Sequence, residues 1–574
     1  MKNKELARLF SRIADALEIK GEDSFKVIAY QKASRILDDL TEDVGTLVAE
    51  NRLRQVPGIG SGLASKIEEY LRTGKMEKYQ ETLSGIPEGL LPLLEVQGLG
   101  GKTIRLVWKE LGVKDLAGLK RVIRDGSLAK LRGLGDKRAA NILKGIELHE
   151  RALERISIFE ATTVVEEVLA YLRRNPKFLR LSPAGSLRRM RETVGDIDIL
   201  AGGRPKDSRE LIAWFTRFPE AVRTLSAGET KSSILVKAPG GQRQVDLRLV
   251  DESEYGAALQ YFTGSKAHNV KLRGMAKEKG LKISEYGVFR GSRKIAGRTE
   301  EEVYRSLGLP PIPPEMREDR GEVELALEGR LPAIVEPADI RGDLHVHSDW
   351  SDGSLSLKEL AEAARQMGYE YIAVCDHSRS AAYAGGLGPE RLRRQVREID
   401  KLNRTLRSVQ LLKGTEVDIL ADGRLDLPDS VLGLLDIVVA SVHSGFRKNV
   451  TARMIKAMSN PLVRVIGHPT GRLISGREGY EVDLEKVMEA AREKGTALEL
   501  NAYFDRLDLH ELHLKQAKDK GLHISLGTDT HHAGGLAMMR FGVGIARRAW
   551  LAKTDILNCL PVEQLRASQK RPNI

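Results

Sequence analysis

The 574-residue sequence predicts a multidomain chain of mixed α+β and α/β class, and three observations carry that expectation. Residues 1–150 place apolar side chains at three- and four-residue spacing between Gly-x-Gly turns, the pattern of short helices. A middle section contains SILVKA and QVDLRLV, whose apolar–polar alternation predicts half-buried strands. From residue 339 onward, short apolar runs such as YIAVCDH, LDIVVASVH, TALELN and HISLGTD alternate with helical stretches, which predicts a barrel of parallel strands. So long a chain exceeds one core, and three to five domains are expected. The proline-rich stretch from Gly308 to Pro337 reads as a linker.

The net charge is +12, and it is uneven: residues 1–338 carry +9 and the remainder +3. A basic N-terminal part suits a polyanionic partner. Only two cysteines occur, Cys375 and Cys559, which argues against a disulfide framework and fits a reducing compartment. The N-terminus is charged and amphipathic, unlike a signal peptide, and no apolar run reaches bilayer length, so a cytoplasmic location is expected.

Three copies of one pattern occur in the helical part: VPGIGSGLASKI (56–67), VQGLGGKTIRLV (96–107) and LRGLGDKRAANI (131–142). The turns at Gly58 and Gly60, Gly98 and Gly100, and Gly133 and Gly135 each precede a helix start. Backbone N–H groups there can bind phosphate without reading bases. The repeats resemble helix-hairpin-helix motifs. Domains are expected at 1–80, a helical DNA-binding, lyase-like domain, and at 81–150, a helical domain with two further hairpins.

The stretch GSLRRMRETVGDIDIL (185–200) sets Asp196 and Asp198 on one face of a strand. Two acids so close call for a cation between them. Together with QVDLRLV and LQYFTGSKAHNVKLR, the stretch resembles the palm of a family X DNA polymerase, over roughly residues 5–310. The resemblance implies a nucleotidyltransferase palm at 151–250, a thumb-like nucleotide-selection subdomain at 251–310 and a linker at 311–338. It implies that Asp196, Asp198 and Asp246 hold two Mg²⁺ ions, in keeping with the preference of Mg²⁺ for carboxylates plus substrate phosphate oxygens. It further implies triphosphate binding by Gly185, Ser186, Arg189 and Gly195, joined by Arg155. Sugar selection falls to Tyr261, Phe262 and Gly264, and contact with the new base pair to Asn269 and Arg273. Val194 and Lys266 depart from the family's serine and aspartate at those places.

Lys66 stands where the family has a Schiff-base lysine, with Lys26, Tyr30 and Lys32 at the basic and tyrosine positions around it. A lysine among cations can have the lowered pKa that attack on an abasic-site aldehyde needs, whereas Gly62 replaces a further family lysine. Two readings of Lys66 stay open, a 5′-deoxyribose phosphate lyase and a plain phosphate contact.

Residues 343–353, DLHVHSDWSDG, place His345 and His347 on one strand face, as paired metal ligands require. Ten of the twelve histidines lie beyond residue 340, and six stand at ends of successive apolar strands, where a barrel's catalytic loops lie. The pattern resembles the PHP (polymerase and histidinol phosphatase) domain, a distorted α/β barrel, over about residues 339–574. That resemblance implies that His345, His347, Asp352, His377, Glu416, His443, His468, Asp529 and His531 bind up to three metals, Mn²⁺ or Zn²⁺. Asp349 is an alternative to Asp352, His510 and His513 are expected to face solvent, and His532 is expected not to ligate.

The leading reading is a DNA polymerase that fills short gaps in repair, fused to a 3′→5′ exonuclease that also cuts at abasic sites. Gapped or primed duplex DNA and dNTPs are its expected partners, and a monomer suffices. A polymerase tethered to a PHP phosphomonoesterase is the second reading, and a non-catalytic DNA-binding scaffold the third.

Overall fold

The computed structural model describes the chain except residues 1, 41–42, 57, 97–98, 132–133, 137, 141, 144–145, 147–154, 239–240, 475–478 and 568–574. Two units result, Met1–Glu154 and Arg155–Ile574.

The first unit is helical. Helix Lys2–Lys20 contributes Leu6, Phe10 and Ile13 to one apolar cluster with Leu37 and Ile67, and Ala16 and Ile19 to a second with Leu90, Ile104 and Leu119. Asp23, Asp43 and Asp115 cap following helices by accepting from backbone N–H groups. The helices Ser61–Thr73 and Gly101–Leu111 begin differently: Gly60 and Gly100 occupy their N-caps and supply no capping side chain. Gly58 has φ +90°, and a Cβ there would lie 2.5 Å from Ile36, so the turn requires glycine. These helix starts follow the first two glycine turns, and Gly135 O accepts from Arg138 N and Ala139 N after the third; Gly98 and Gly133 lie outside the described residues.

The second unit opens with a five-stranded sheet. Its strands are β1 (Arg180–Pro183), β2 (Ile197–Gly202), β3 (Ala221–Ala227), β4 (Lys231–Ala238) and β5 (Gly241–Val250), in the order β1-β2-β5-β4-β3. Only β2 and β5 run parallel, and their register sets Asp198 beside Asp246. Helix Ile158–Leu172 starts in a Ser157/Glu160 capping box and packs with Ser208–Thr216 on the sheet through Val168, Leu172, Phe215 and Val245. Helices Tyr255–Thr263, Lys266–Glu278 and Glu300–Ser306 then join a small antiparallel sheet around Leu272, Val288 and Tyr304.

The expected barrel follows. Strands β6 (Gly342–Val346), β7 (Tyr371–Val374), β8 (Gln410–Asp418), β9 (Ile437–Ser441), β10 (Val465–Ile466), β11 (Ala497–Asn501) and β12 (Ile524–Gly527) are parallel and lie in sequence order. The first meets the last just past their ends: Val346 bridges Thr530, His347 N donates to Thr530 O at 2.9 Å, and Asp529 N donates to His345 O at 2.9 Å. That nearly closed ring brings all seven carboxyl ends to one mouth.

Residues 311–338, expected as a linker, pack tightly instead. Val335 N donates to Leu551 O, Arg317 is buried with its guanidinium 2.5 Å from Glu300, and the helix Glu322–Leu327 seats a buried Glu322. Proline density here marks short helical turns rather than a lack of contacts. The strap is fastened to the barrel by Arg548, whose side chain is fully buried. It reaches Glu511 at 2.5 Å, Glu318 at 3.0 Å and the Arg189 carbonyl at 2.6 Å. Buried charges of this kind are strongly destabilising when one partner is removed. Arg548→Met should therefore lower the stability of the full chain by about 3–5 kcal/mol in chemical denaturation. A loss below about 1 kcal/mol would mean that Glu318 and Glu511 find other partners.

Candidate active sites

The first site forms where β2 and β5 pair. Asp198 and Asp246 lie side by side, with Asp196 two residues earlier on the chain. Asp198 is pushed up to about 7, first by burial and then by the charges of Asp246 and Asp196; Asp196 is raised for the same reasons. Carboxylates that resist ionisation in company fit divalent cations between them. Their oxygens are not gathered as closely as those of the second site described below. Lys231 stands 3.6 Å from Asp246, and Gln244 donates to it at 2.8 Å. Gly185 has φ +59°, and a Cβ there would come within 2.3 Å of Asp198 Oδ2. Only glycine lets that turn approach the acid so closely.

The remaining predicted residues surround this centre. Ser186 continues the short helix Gly185–Arg188. Arg155 donates to Thr193 Oγ1 at 2.8 Å, and a Cβ on Gly195 would lie 3.6 Å from its guanidinium. Arg189 is 3.1 Å from Glu318 and donates to Thr263 O at 2.5 Å. Tyr261 and Phe262 meet edge to face, Arg248 covers the Phe262 ring, and Gly264 turns at φ +73° beside Arg189. Asn269 is nearly buried; it donates to Tyr261 O at 2.7 Å and accepts from Gln260, while Arg273 donates to Asn269 O. Arg189 and Asn269 are thus each held by protein partners. In the other unit, Lys66 Nζ donates to Gly62 O at 2.8 Å, Lys32 lies against the Gly58 turn, and Lys26 pairs with Glu22.

The second site fills the barrel mouth. Glu416, buried on β8, faces five imidazoles: His377 at 2.9 Å, His468 at 2.9 Å, His443 at 3.1 Å, His345 at 3.6 Å and His347 at 3.8 Å. Asp529 lies 3.1 Å from His347, and Asp352 lies 3.4 Å from His531 and 3.6 Å from His377. Three overlapping groups emerge, His347/Asp352/His377/His531, His345/His347/Asp529 and His377/Glu416/His443, each with ligand atoms within 4.8 Å of one another. All nine predicted residues converge. Asp349 does not join them; it is exposed, and its backbone N–H bonds to Leu355 O.

The donor set tests well for metal. His345 Nε2, both nitrogens of His347, His377 Nδ1 and Glu416 Oε2 are buried, and their close approaches to one another and to Asp529 are not aligned as hydrogen bonds. Buried polar atoms are normally satisfied, and here a cation would satisfy them together. Mixed imidazole and carboxylate donors suit Mn²⁺ or Zn²⁺ better than Mg²⁺.

Several contributors escaped the sequence reading. Glu499 on β11 accepts from His345 Nδ1 at 2.6 Å and from His468 N at 2.6 Å, and Asp418 bonds His443 Nδ1 at 3.1 Å. Such outer carboxylates fix ring orientation. Arg506 lies 3.4 Å from Asp529. An acid interrupting an apolar barrel strand, as in ALELN, was the available signal for Glu499. The expectation that His510 and His513 face solvent fails: both are half-buried, and His510 caps helix Glu511–Asp519 by accepting from Leu512 N, beside the charges of Glu511 and Glu192. His532 is not among these three groups.

Comparisons with known proteins match these regions. The descriptions "Helix-hairpin-helix domain", "DNA polymerase beta thumb" and "PHP domain" match residues 1–76, 258–318 and 343–503. The chain is 41% identical, over the full length of both, to a Bacillus subtilis protein named DNA polymerase/3′-5′ exonuclease PolX. The chain belongs to the PolX family, the family X DNA polymerases that carry a PHP domain. Partial relatives of this PolX chain reflect its two halves. Rat DNA polymerase lambda is 28% identical over 53% of this chain and 54% of its own, and a probable phosphatase of Thermoanaerobacter sp. is 31% identical over 38% and 89%. Among the described residues, no helix is long and apolar enough to cross a membrane.

The metal-binding reading has a consequence for pH. Burial opposes charge on His443 and His531, but the nearby carboxylates raise them to about 10 and about 9. Raised folded values stabilise the metal-free protein fully below the unfolded value of 6.5, and the contribution is lost as pH rises through 9 to 10. Thermal denaturation in chelator should show the second unit weakening from pH 7 to 9.5, and Mn²⁺ should restore stability most at high pH, because cations displace those protons. A restoration by Mn²⁺ that is equal at pH 6 and pH 9 would contradict the assignment.

Proposed function

We propose that this PolX chain is a DNA polymerase that fills short gaps in repair and trims 3′ ends with its PHP domain. The observation that carries the reading is the coexistence, in one unit, of a paired-carboxylate strand register and of three overlapping His/carboxylate groups of eight residues, with His468 2.9 Å from Glu416. At the first site, Asp196, Asp198 and Asp246 would hold Mg²⁺, which would supply positive charge for transfer of a dNTP phosphoryl group to a primer 3′-hydroxyl. The protein's own groups bind and orient. The turn at Gly185 and Ser186 offers backbone N–H groups, Arg189 and Arg155 offer guanidinium groups to the triphosphate, and Tyr261 and Phe262 shape the sugar pocket. Arg189 must exchange Glu318 for the nucleotide, so nucleotide binding and strap contacts are linked.

At the second site, the nine residues would hold Mn²⁺ or Zn²⁺, and such ions would supply Lewis-acid charge for phosphodiester hydrolysis. Glu499 and Asp418 hold the imidazoles in orientation, and Arg506 adds positive charge beside Asp529. The hairpin turns grip the DNA backbone through N–H groups at helix starts. Lys66 is the lyase nucleophile of this reading, with Lys26, Tyr30 and Lys32 nearby in the sequence pattern. The phosphatase reading is favoured only by the names of three partial relatives.

A 5′-labelled primer facing a one-nucleotide gap tests the assignment. Wild type should extend it with Mg²⁺ and the matching dNTP, and shorten it with Mn²⁺ alone. Asp246→Ala should lose extension by more than about 100-fold and keep shortening, and His345→Ala should do the reverse. Wild-type extension without shortening would turn the PHP domain toward a phosphomonoesterase. DNA affinity should also fall steeply between 50 and 200 mM salt, as counterion release demands for phosphate contacts. A flat salt profile would count against the hairpin assignment.

A further inference from the structure

The short 3₁₀ turn Ala382–Ala384 lies just beyond His377 and carries Tyr383 with 77% of its surface exposed. Among the large apolar side chains described, only Phe25 is more exposed. The turn itself is firmly held. Ala381 N donates to Ser378 O at 3.0 Å, Gly386 N to Ala381 O at 3.1 Å and Leu387 N to His377 O at 2.7 Å. Arg391 clamps the turn from outside, donating to Gly385 O at 2.8 Å and to Trp350 O at 2.5 Å. Gly386 allows the close packing, since a Cβ there would come within 2.0 Å of Ser378 O.

The Tyr383 ring centroid is 6.4 Å from the His377 ring, at an interplanar angle of 54°. Its hydroxyl is raised by burial and by the charges of Asp418, Glu416 and Asp352, and Arg506 opposes that shift. The ring thus stands beside the His377 imidazole at the barrel mouth while most of its surface faces solvent. An aromatic ring in water, held by a rigid turn at the rim of a phosphate-cleaving site, is placed to stack on a flat ligand. A small phosphate ester has no use for that surface, whereas a nucleobase does.

We propose that Tyr383 is the stacking platform for the 3′-terminal base of the strand cut at the barrel mouth, and so selects nucleotide ends over small phosphate esters. The proposal rests on the exonuclease reading above. It is tested with full-length protein, Mn²⁺ and two 5′-labelled oligonucleotides that differ only at the 3′ residue, thymidine or an abasic tetrahydrofuran. Wild type should show a KM on the order of tenfold higher for the abasic end, with kcat changed far less. Tyr383→Ala should abolish that preference by raising KM for the thymidine end, and Tyr383→Phe should retain it. In chelator, where no cleavage occurs, 2-aminopurine at the 3′ end should be quenched by wild type and Tyr383→Phe more than by Tyr383→Ala. An undiminished preference in Tyr383→Ala, with shortening intact, would overturn the stacking role alone. Absence of shortening in wild type would overturn it together with the exonuclease reading.

Discussion

Arg548 is the constraint on which the second unit depends. A fully buried guanidinium binds Glu511 of the barrel, Glu318 of the strap and the backbone of Arg189 in the palm, so three segments far apart in sequence share one charge. Neighbouring pairs extend the lattice: Arg320 with Glu511, Arg188 and Arg317 with Glu300, and Arg472 with Glu192. Glu300 is held down at about 2 by its two arginines despite burial, and Glu511 is held well below the usual carboxylate range by Arg548. Each charge is tolerable inside the protein only because its partners are present. The consequence is a palm and a barrel that behave as one body, with Arg189 lying on the seam.

The two sites on that body solve opposite electrostatic problems. At the palm, burial and the mutual charge of three carboxylates outweigh Lys231 and Arg189, so Asp198 is driven up toward neutrality. At the barrel mouth, buried carboxylates are ringed by imidazoles, so Glu416 and Asp529 are held well below their usual values and His443 and His531 above theirs. The palm thus calls for cations that arrive with a charged substrate, whereas the barrel offers a ready cage of donors. This difference suits a site that takes its metals with a nucleotide and another that keeps them resident.

Much of this was legible in the sequence because it depends on local rules. Strand alternation set Asp196 and Asp198 on one face, and βα periodicity put the histidines at strand ends, while the nine candidate barrel residues were named by resemblance to the PHP domain. What depends on tertiary packing was not legible. Residues 311–338 look like a linker because prolines suppress regular structure, yet Arg317, Glu322 and Val335 are buried there. His510 looks like a solvent-facing helix residue, but the helix begins at Glu511 and leaves it as a half-buried cap. Glu499 hid in an apolar strand, since its role appears only once β11 lies next to β12 and opposite His345.

The central claim is that the barrel mouth is a resident multi-metal site independent of the palm carboxylates. Metal counting by plasma mass spectrometry after Mn²⁺ loading and desalting tests it most directly. The account predicts two to three ions per chain in wild type and in Asp246→Ala, falling to one or none in Glu416→Gln. Ions lost in Asp246→Ala, or fully retained in Glu416→Gln, would contradict it.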